Sequence, residues 1–243
     1  MNTTFRFLSI ILLSVLVITA CSDTYLNTML VDGNGDVKNQ VRTIETNFTA
    51  IELQSSFEVI LSLDITDNVV VEAESNLLPY IQTIVSGNKL VISSSDATRL
   101  NPQHKIKIYA PSGGIANINV TGSGSVSADS LNSETMYLQV SGSGSISAPV
   151  YAVALTTDVS GSGEIEIRGR CRQSDFTNSG SGDIKAFLLS HDESNCELSS
   201  SGNIFISAWN KLNAVVTGSG SVYYKGTPSV SANITGSGKI IPG

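Results

Sequence analysis

Charge is scarce in this 243-residue chain, where only 14% of residues are Asp, Glu, Lys or Arg. Basic residues are the scarcer sign: 14 Lys and Arg stand against 21 acids, for a net charge of −7. That balance excludes a nucleic-acid binder, whose affinity rests on clustered Lys and Arg. It also excludes attachment to an anionic membrane by charge alone. Histidine is nearly absent, with two copies, His104 and His191, far apart in the sequence. A Ser-His-Asp triad needs a histidine held by an acid and touching a serine. No Gly-x-Ser-x-Gly before a helix accompanies these two, which read as surface or cap residues. Aromatics make up 6%, with a single tryptophan, Trp209. It falls at a corner of the repeat described next and reads as packing.

Glycine, serine and threonine fill the space that charge leaves, and they do so periodically. Gly122-Ser123-Gly124 recurs as Gly142-Ser143-Gly144, Gly161-Ser162-Gly163 and Gly180-Ser181-Gly182, then as Ser200-Ser201-Gly202, Gly218-Ser219-Gly220 and Gly236-Ser237-Gly238. Self-similarity near 20 residues is the mark of a solenoid. Two residues before each triplet stand Val120, Val140, Val159, Asn178, Leu198, Val216 and Ile234. Two residues after it stand Val126, Ile146, Ile165, Ile184, Ile204, Val222 and Ile240. Apolar residues two apart share one face of a strand. β-branched columns interrupted by glycine disfavour a helical solenoid. The expectation is an all-β, parallel β-helix-like solenoid in which equivalent residues stack coil upon coil at roughly 4.8 Å.

The two glycines of each triplet lie on the same side as the Val and Ile columns. Either a corner demands positive φ there, or another backbone approaches too closely for a side chain. The middle serines, Ser123, Ser143, Ser162, Ser181, Ser201, Ser219 and Ser237, then point outward. Beside them Thr121, Ser141, Ser160, Ser179, Ser199, Thr217 and Thr235 form a second hydroxyl ladder. These ladders are the candidate contact surface for a protein or glycan partner. In the following outward columns, Glu164 and Asp183 fall on adjacent coils, with Glu166 and Lys185 beside them. A Ca2+ or glycan contact and a solvated face are both open there. Cys171 and Cys196 could bridge in an oxidising compartment, but they sit in different columns and a bridge needs Cα atoms within ~7 Å.

At the N-terminus, the apolar run Phe7 to Ile18 follows Arg6 and is shorter than the ~20 residues that span a bilayer. It fits the apolar core of a secretory signal. Ile18-Thr19-Ala20-Cys21 resembles the bacterial lipobox, which implies cleavage before Cys21 and acylation of its thiol. An ordinary signal peptide with an incidental cysteine is the alternative. Ser22 after the cysteine implies, by the same resemblance, sorting to an outer membrane. The organisation expected is a signal peptide over 1–20, a tether over 21–30 and one solenoid domain over 31–243. Its coils are irregular and strand-rich over 31–110 and regular over 111–243.

In the irregular part, Asp32-Gly33-Asn34-Gly35-Asp36 starts like a calcium loop. Val37 and Thr43 stand where an EF-hand needs Gly and Glu, so the match fails. The stretch Val31–Val37 instead aligns with Val120–Val126 as a displaced copy of the turn. Leu53–Val59 aligns as another copy without its glycines. Strands are expected at 51–53, 58–63, 69–73, 80–85, 90–94 and 106–109, with a hairpin turn at Ser86–Lys89, an excursion at 76–80 and a polar loop at 96–103.

With Arg42-Thr43-Ile44, Phe48-Thr49-Ala50-Ile51, Asn76-Leu77-Leu78, Leu90-Val91-Ile92 and the repeated Val-Thr/Ser-Gly-Ser-Gly units, the chain from about residue 30 to 243 resembles the "putative autotransporter adhesin, head GIN" domain. The resemblance implies a right-handed parallel β-helix-like fold and a bacterial envelope protein that is adhesin-like or scaffolding. The residues themselves point to no catalytic site, no cofactor and no metal. A carbohydrate-binding or polysaccharide-processing β-helix protein is the alternative function. Solenoid ends expose unpaired strands, so the C-terminal end is expected to fold under its last strand or to pair with a second chain.

Overall fold

The computed structural model describes residues 28–44 and 47–243. The apolar N-terminal segment and Cys21 lie outside the described residues. Strands dominate: β1 (Met29–Asp32), β2 (Val37–Thr43), β3 (Ala50–Leu53), β4 (Glu58–Ser62), β5 (Asn68–Glu74), β6 (Ile81–Ser86), β7 (Lys89–Ser94), β8 (Thr98–Asn101) and β9 (Lys107–Pro111) come first. β10 (Asn117–Val120), β11 (Ser125–Ala128), β12 (Leu131–Val140), β13 (Ser145–Val159), β14 (Glu164–Arg170), β15 (Gln173–Asn178), β16 (Asp183–Leu198), β17 (Ile204–Val216), β18 (Val222–Lys225), β19 (Ser229–Ile234) and β20 (Ile240–Pro242) follow. The fold is a β-solenoid of about seven turns.

The columns expected from the sequence are the register observed. Val126 pairs with Ile146, then Ile165, Ile184, Ile204, Val222 and Ile240, each on the next coil. On the other side of the triplet, Val120, Val140, Val159, Asn178, Leu198, Val216 and Ile234 stack likewise. The columns run past the regular repeat: Val59 and then Ile108 extend the first, while Leu53 and Ile92 extend the second. Leu53–Val59 is thus a true coil of the stack, as its alignment suggested. Burial of these side chains at roughly 25 cal/mol per Å2 is what favours stacking.

The triplet glycines serve a close approach, and not a corner of positive φ. None of the positive-φ glycines, at 35, 87, 114, 169 and 226, belongs to the repeated triplets. The approach is along the axis, from the coil below. A Cβ on Gly142 would lie 2.2 Å from the Gly122 carbonyl oxygen, and one on Gly182 would lie 1.7 Å from that of Gly163. The turns stay in the hydrogen-bond ladder, with Ser162 N donating to Gly142 O at 3.0 Å and Ser181 N to Gly161 O at 2.9 Å. The strand spacing therefore persists where the chain bends, and a methyl group does not fit.

Two departures on adjacent coils, Asn178 in the apolar column and Ser200 in the next triplet, form a single device. Asn178 is fully buried. Its amide donates to Gly182 O at 2.7 Å and to Asn203 O at 3.3 Å, and its Oδ1 accepts from Gly180 N at 3.1 Å. Ser200, which replaces the glycine one coil on, directs its hydroxyl to Asn178 O at 3.3 Å. A buried amide is tolerable because every polar atom is matched.

The N-terminal part caps one end. β3 and β4 lie directly against β10 and β11, although residues 63–116 intervene in the chain. Those intervening residues sit beyond them, where β7 and β9 continue the parallel stack. Pairing then turns antiparallel, β6 on β7, β5 on β9 and β2 on β5. The hairpin turn at Ser86–Lys89 forms as expected, and the excursion near Pro79 is a short 3-10 turn, Leu78–Tyr80. Arg42 ties the outermost strand β2 to that turn, donating to Ile81 O at 2.7 Å, Thr83 Oγ1 at 3.0 Å and Leu78 O at 3.1 Å.

Two expectations fail here. The stretch Val31–Val37 is no copy of the stacked turn, since β1 pairs with β8 and β2 pairs antiparallel with β5. Gly33 is small for another reason: a Cβ would lie 2.1 Å from the carboxylate of buried Glu74. The polar loop at 96–103 contains a strand, β8, which an alternation of exposed and half-buried residues had disguised. At the far end, β19 and β20 stack on β17 and β18 in the ordinary register, with no fold-under among the described residues.

The axial constraint makes a direct prediction. Gly182→Ala should destabilise the protein by about 1–3 kcal/mol, the usual cost of overpacking. Ser181→Ala, one residue away and exposed, should change stability by less than about 0.5 kcal/mol. Urea midpoints of the two variants measure this, and equal midpoints would remove the constraint.

Candidate functional site

The serines Ser123, Ser143, Ser162, Ser181, Ser201, Ser219 and Ser237 are all exposed, and so are the Thr and Ser residues that precede the triplets. The two hydroxyl ladders therefore lie on one outer edge along the regular coils. One neighbouring pair, Ser201 Oγ and Ser219 Oγ, lies 3.2 Å apart. At the cap end the ladder borders a depression of about 340 Å3 lined by Ser123, Ser143, Pro102 and Lys105 among others.

The acidic column resolves into ordinary surface pairs. Glu164 and Asp183 are axial neighbours. Lys185 Nζ lies 2.6 Å from Glu164 Oε2, and this partner raises the lysine's pKa. Asp183 accepts from the Asn203 backbone N–H at 2.8 Å and from its side chain at 3.2 Å. No group of three or more His, Cys, Asp or Glu that could hold a metal is found among the described residues.

The two histidines diverge. His104 is exposed on the cap, its Nδ1 3.8 Å from Glu74 Oε1. Glu74 itself is fully buried. Burial would raise its pKa, but hydrogen bonds from the backbone N–H groups of Gly35, Gln103 and His104 outweigh this and hold it below the usual carboxylate range. The carboxylate thereby pins the turn at 33–36 to the loop at 103–104. His191, by contrast, is no surface or cap residue. It is buried in the solenoid, its ring 5.8 Å from that of Phe176, and neither ring nitrogen has a hydrogen-bond partner. Around this level the core turns polar: Thr157, Ser174 and Ser194 are buried, with Ser174 Oγ donating to Ser194 Oγ at 3.1 Å. Cys171 and Cys196 are buried free thiols, not a bridge. Burial pushes the pKa of each up to about 12, so neither is a nucleophile at neutral pH.

A second surface feature was missed by the sequence reading. Phe187 and Phe205 meet edge to face at 5.4 Å, and Phe205 stacks on Tyr223 at 4.9 Å with an interplanar angle of 9°. Lys225 Nζ sits 4.4 Å from the centre of the Phe187 ring. A cavity of about 470 Å3 opens beside these rings, lined by Glu166, Ile167, Arg168, Lys185, Leu188 and Lys225 as well as Phe187 and Phe205. Its cause is a bulge. β16 offers residues 187–189 with no partner on β17, because Ala186 pairs with Ile206 and Ser190 with Ser207. The carbonyl of Phe187, freed from the ladder, accepts the Ser207 hydroxyl at 2.7 Å. Leu188 is left 72% exposed, more than any other large apolar residue described. Trp209 lies in a bulge of β17 and is 53% exposed, so it is not the packing residue expected. The signal was in the spacing: the coil from 180 to 200 is longer than those before and after it, and the surplus must leave the ladder.

A family model described as "Putative auto-transporter adhesin, head GIN domain" matches residues 47–228. The chain belongs to this family. Among solved structures, the chain is similar to a "putative adhesin" from Bacteroides fragilis, with a TM-score of 0.82 and 21% identity over 87% of this chain and 99% of the other. It is similar to a "putative lipid binding protein" from Parabacteroides distasonis, with a TM-score of 0.73 and 27% identity over 88% and 99%. A "putative adhesin" from the same species gives a TM-score of 0.69 and 23% identity over 88% and 100%. No curated protein matches the chain. Its fold is thus shared with adhesin-like proteins and with one described as lipid binding.

The buried imidazole yields a pH prediction. Desolvation holds His191 neutral in the fold by lowering its pKa from 6.5 to about 4. Between those values the unfolded chain takes up a proton that the fold refuses, so stability is full above the upper value and falls as pH drops through the window. The loss reaches on the order of 3 kcal/mol by the lower value. Urea midpoints of wild type should fall between about pH 7 and pH 5, before most carboxylates titrate. His191→Leu should show a flatter profile over that range, and an identical slope would refute the assignment.

Proposed function

We propose that this protein is a non-enzymatic, lipid-anchored component of the bacterial cell envelope, held through Cys21, that presents its solenoid edge to a partner as an adhesin-like module. The observation that carries the reading is the pair of exposed hydroxyl ladders flanking an invariably tight turn. The glycines explain the turn, whereas the outward Ser and Thr side chains contribute nothing visible to the core. A flat row of donors and acceptors at a fixed axial step suits an extended protein or glycan partner, since each hydroxyl can both give and accept a hydrogen bond. The low charge of the chain suits recognition by such groups in place of electrostatic steering. Acylation at Cys21 fits the apolar run before it, and two or three acyl chains at ~0.8 kcal/mol per buried CH2 make a firm anchor. Among the described residues β19 and β20 each pair on one side only, which supports end-to-end pairing with a second copy as a route to longer assemblies.

The test is made on cells producing the full chain. Wild type should incorporate labelled palmitate and fractionate with membranes, while Cys21→Ala should lose the label and appear in the soluble fraction. Externally added protease should degrade the solenoid on intact cells. Protection of the solenoid would overturn the adhesin-like role and leave a periplasmic one, and label retained in Cys21→Ala would overturn the anchor.

A further inference from the structure

The bulged face carries a site of different chemistry from the hydroxyl edge, and its argument is independent of that edge. Its floor and walls are apolar: Ile167, Phe187, Leu188 and Phe205. Three cations, Arg168, Lys185 and Lys225, stand at the same cavity against one acid, Glu166. Counting Glu164, which pairs with Lys185 beside the cavity, the margin is one positive charge on a chain whose net charge is −7. Lys185 is engaged by Glu164. Arg168 and Lys225 make no ion pair among the described residues, and Lys225 Nζ lies over the Phe187 ring, with Gly243 beside its stem. A cation lying against an aromatic face without a carboxylate is poised for an incoming anion at small desolvation cost.

Coil length accounts for the bulge, but not for the side chains it carries. Residues 187–189 lose their partners on β17, although Leu188 and Leu189 stay paired with Arg168 and Gly169 of β14, and Leu188 is left exposed with Phe187 half-buried beside it. The bulge is nonetheless held, by the Ser207 hydroxyl on the Phe187 carbonyl and by the edge-to-face contact of Phe187 with Phe205. A fixed bulge that re-aims side chains is a common way to build a binding site on a sheet. The cavity, at about 470 Å3, falls within the range of sites for small ligands, which pair an apolar lining with a few placed polar groups.

We infer that this cavity binds an amphipathic anion: a hydrocarbon body against Ile167, Phe187, Leu188 and Phe205, with a phosphate or carboxylate between Arg168 and Lys225. Such a group exists both as a free single-chain amphiphile and as the headgroup region of a phospholipid surface.

The experiment uses the purified chain from Cys21 onward, with Cys21→Ser to avoid acylation. Dodecyl phosphate below its micelle concentration is titrated by calorimetry and by amide NMR shifts. Saturable binding is expected, with the shifts centred on residues 166–168, 187–188, 205 and 225. Inorganic phosphate and the uncharged dodecyl maltoside should each bind at least tenfold more weakly. Arg168→Glu with Lys225→Glu, and separately Phe187→Ser, should each weaken binding tenfold or more, while Arg99→Glu on the remote cap should not. Circular dichroism of each variant confirms that it is folded, and Leu188→Ser, at an exposed position, repeats the test of the apolar wall with least risk to folding. Vesicles containing phosphatidylglycerol form the second arm: sedimentation that needs Arg168 and Lys225 assigns the anion to a lipid surface, and binding of the monomer alone assigns it to a free ligand. Equal binding of dodecyl maltoside, no binding by either arm, or binding that these variants do not alter would overturn the inference. Preferential binding of oligogalacturonate would overturn it in favour of an acidic glycan. Neither result touches the hydroxyl edge, which is judged by protease access and palmitate label.

Discussion

Where a turn keeps its glycines, each coil of this molecule approaches the next so closely that a methyl group would overlap a carbonyl oxygen. That axial contact is the constraint from which the remaining features follow. A turn between strands usually leaves the ladder, and its backbone groups find water or side chains. Here the turn stays in the ladder, with Gly144 N donating to Gly122 O at 3.1 Å and Gly163 N to Gly142 O at 3.2 Å. Backbone polar groups are satisfied without side chains, the rise is fixed through the bend, and the Val and Ile columns on either side are held in register. Hydrophobic burial supplies the drive, but it does not choose the register. A slip by one residue would turn each column outward, and the small turn is what makes the slip impossible.

A rise fixed at one edge leaves coil length free elsewhere, and this separates the faces of the molecule. A coil longer than its neighbours cannot stretch the turn, so the surplus leaves the ladder at the opposite side. Residues 187–189 are where that happens on the side of β17, and residues 209–210 of the shorter coil that follows make a second, smaller bulge. The hydroxyl edge is uniform because the turn is uniform, and the bulged face is individual because coil length varies there. The buried polar level around His191 follows the same logic in reverse. Stacking places Thr157, Phe176 and Cys196 in one column and Ser174 with Ser194 in another. Polar side chains that meet within a column can satisfy one another, as the two serines do. His191 finds no such partner, which is why burial dominates its protonation.

The parts of the structure that could be read from the residues are those in which a coil sees only a copy of itself. Val126, Ile146 and Ile165 share a spacing, a type and a face, so their stacking follows from the period alone. Leu53–Val59 was legible for the same reason, despite its lost glycines, because its apolar residues keep their places. Val31–Val37 shows the limit. Its Gly-x-Gly matches the turn letter for letter, yet Gly33 answers to the carboxylate of Glu74, some forty residues away, and the strands beside it pair elsewhere. Local resemblance to a turn does not specify the neighbour on which it stacks. The cap escaped for a related reason: residues 63–116 leave the first coil, cover its outer end and return to its inner side, an order set by long-range pairing. Of the candidate surfaces, the serine ladders were legible through parity. The aromatic cavity was not, because Phe187 leaves the repeat's phase just where the site is made.

The separation of faces bears on what this surface can be used for. Outer side chains of a solenoid contribute little to its stability, since each coil is held by its columns and its ladder. Outer positions can therefore take whatever chemistry recognition requires, subject only to solubility. Under that freedom, a polar default is expected, and most of the outer columns show it in Ser, Thr, Asn and Glu. The exposed Leu188, the stacked Phe205 and Tyr223, and the cations beside them depart from the default in one place and on one face. Scattered apolar residues on a surface are ordinary. A row of rings carried on successive coils, held by a fixed bulge and edged by unpaired positive charge, is a local concentration that neither column packing nor the ladder calls for. In a chain whose turns forbid even a methyl group, so large a departure at so free a position is best understood as a site and not as a defect of the stack.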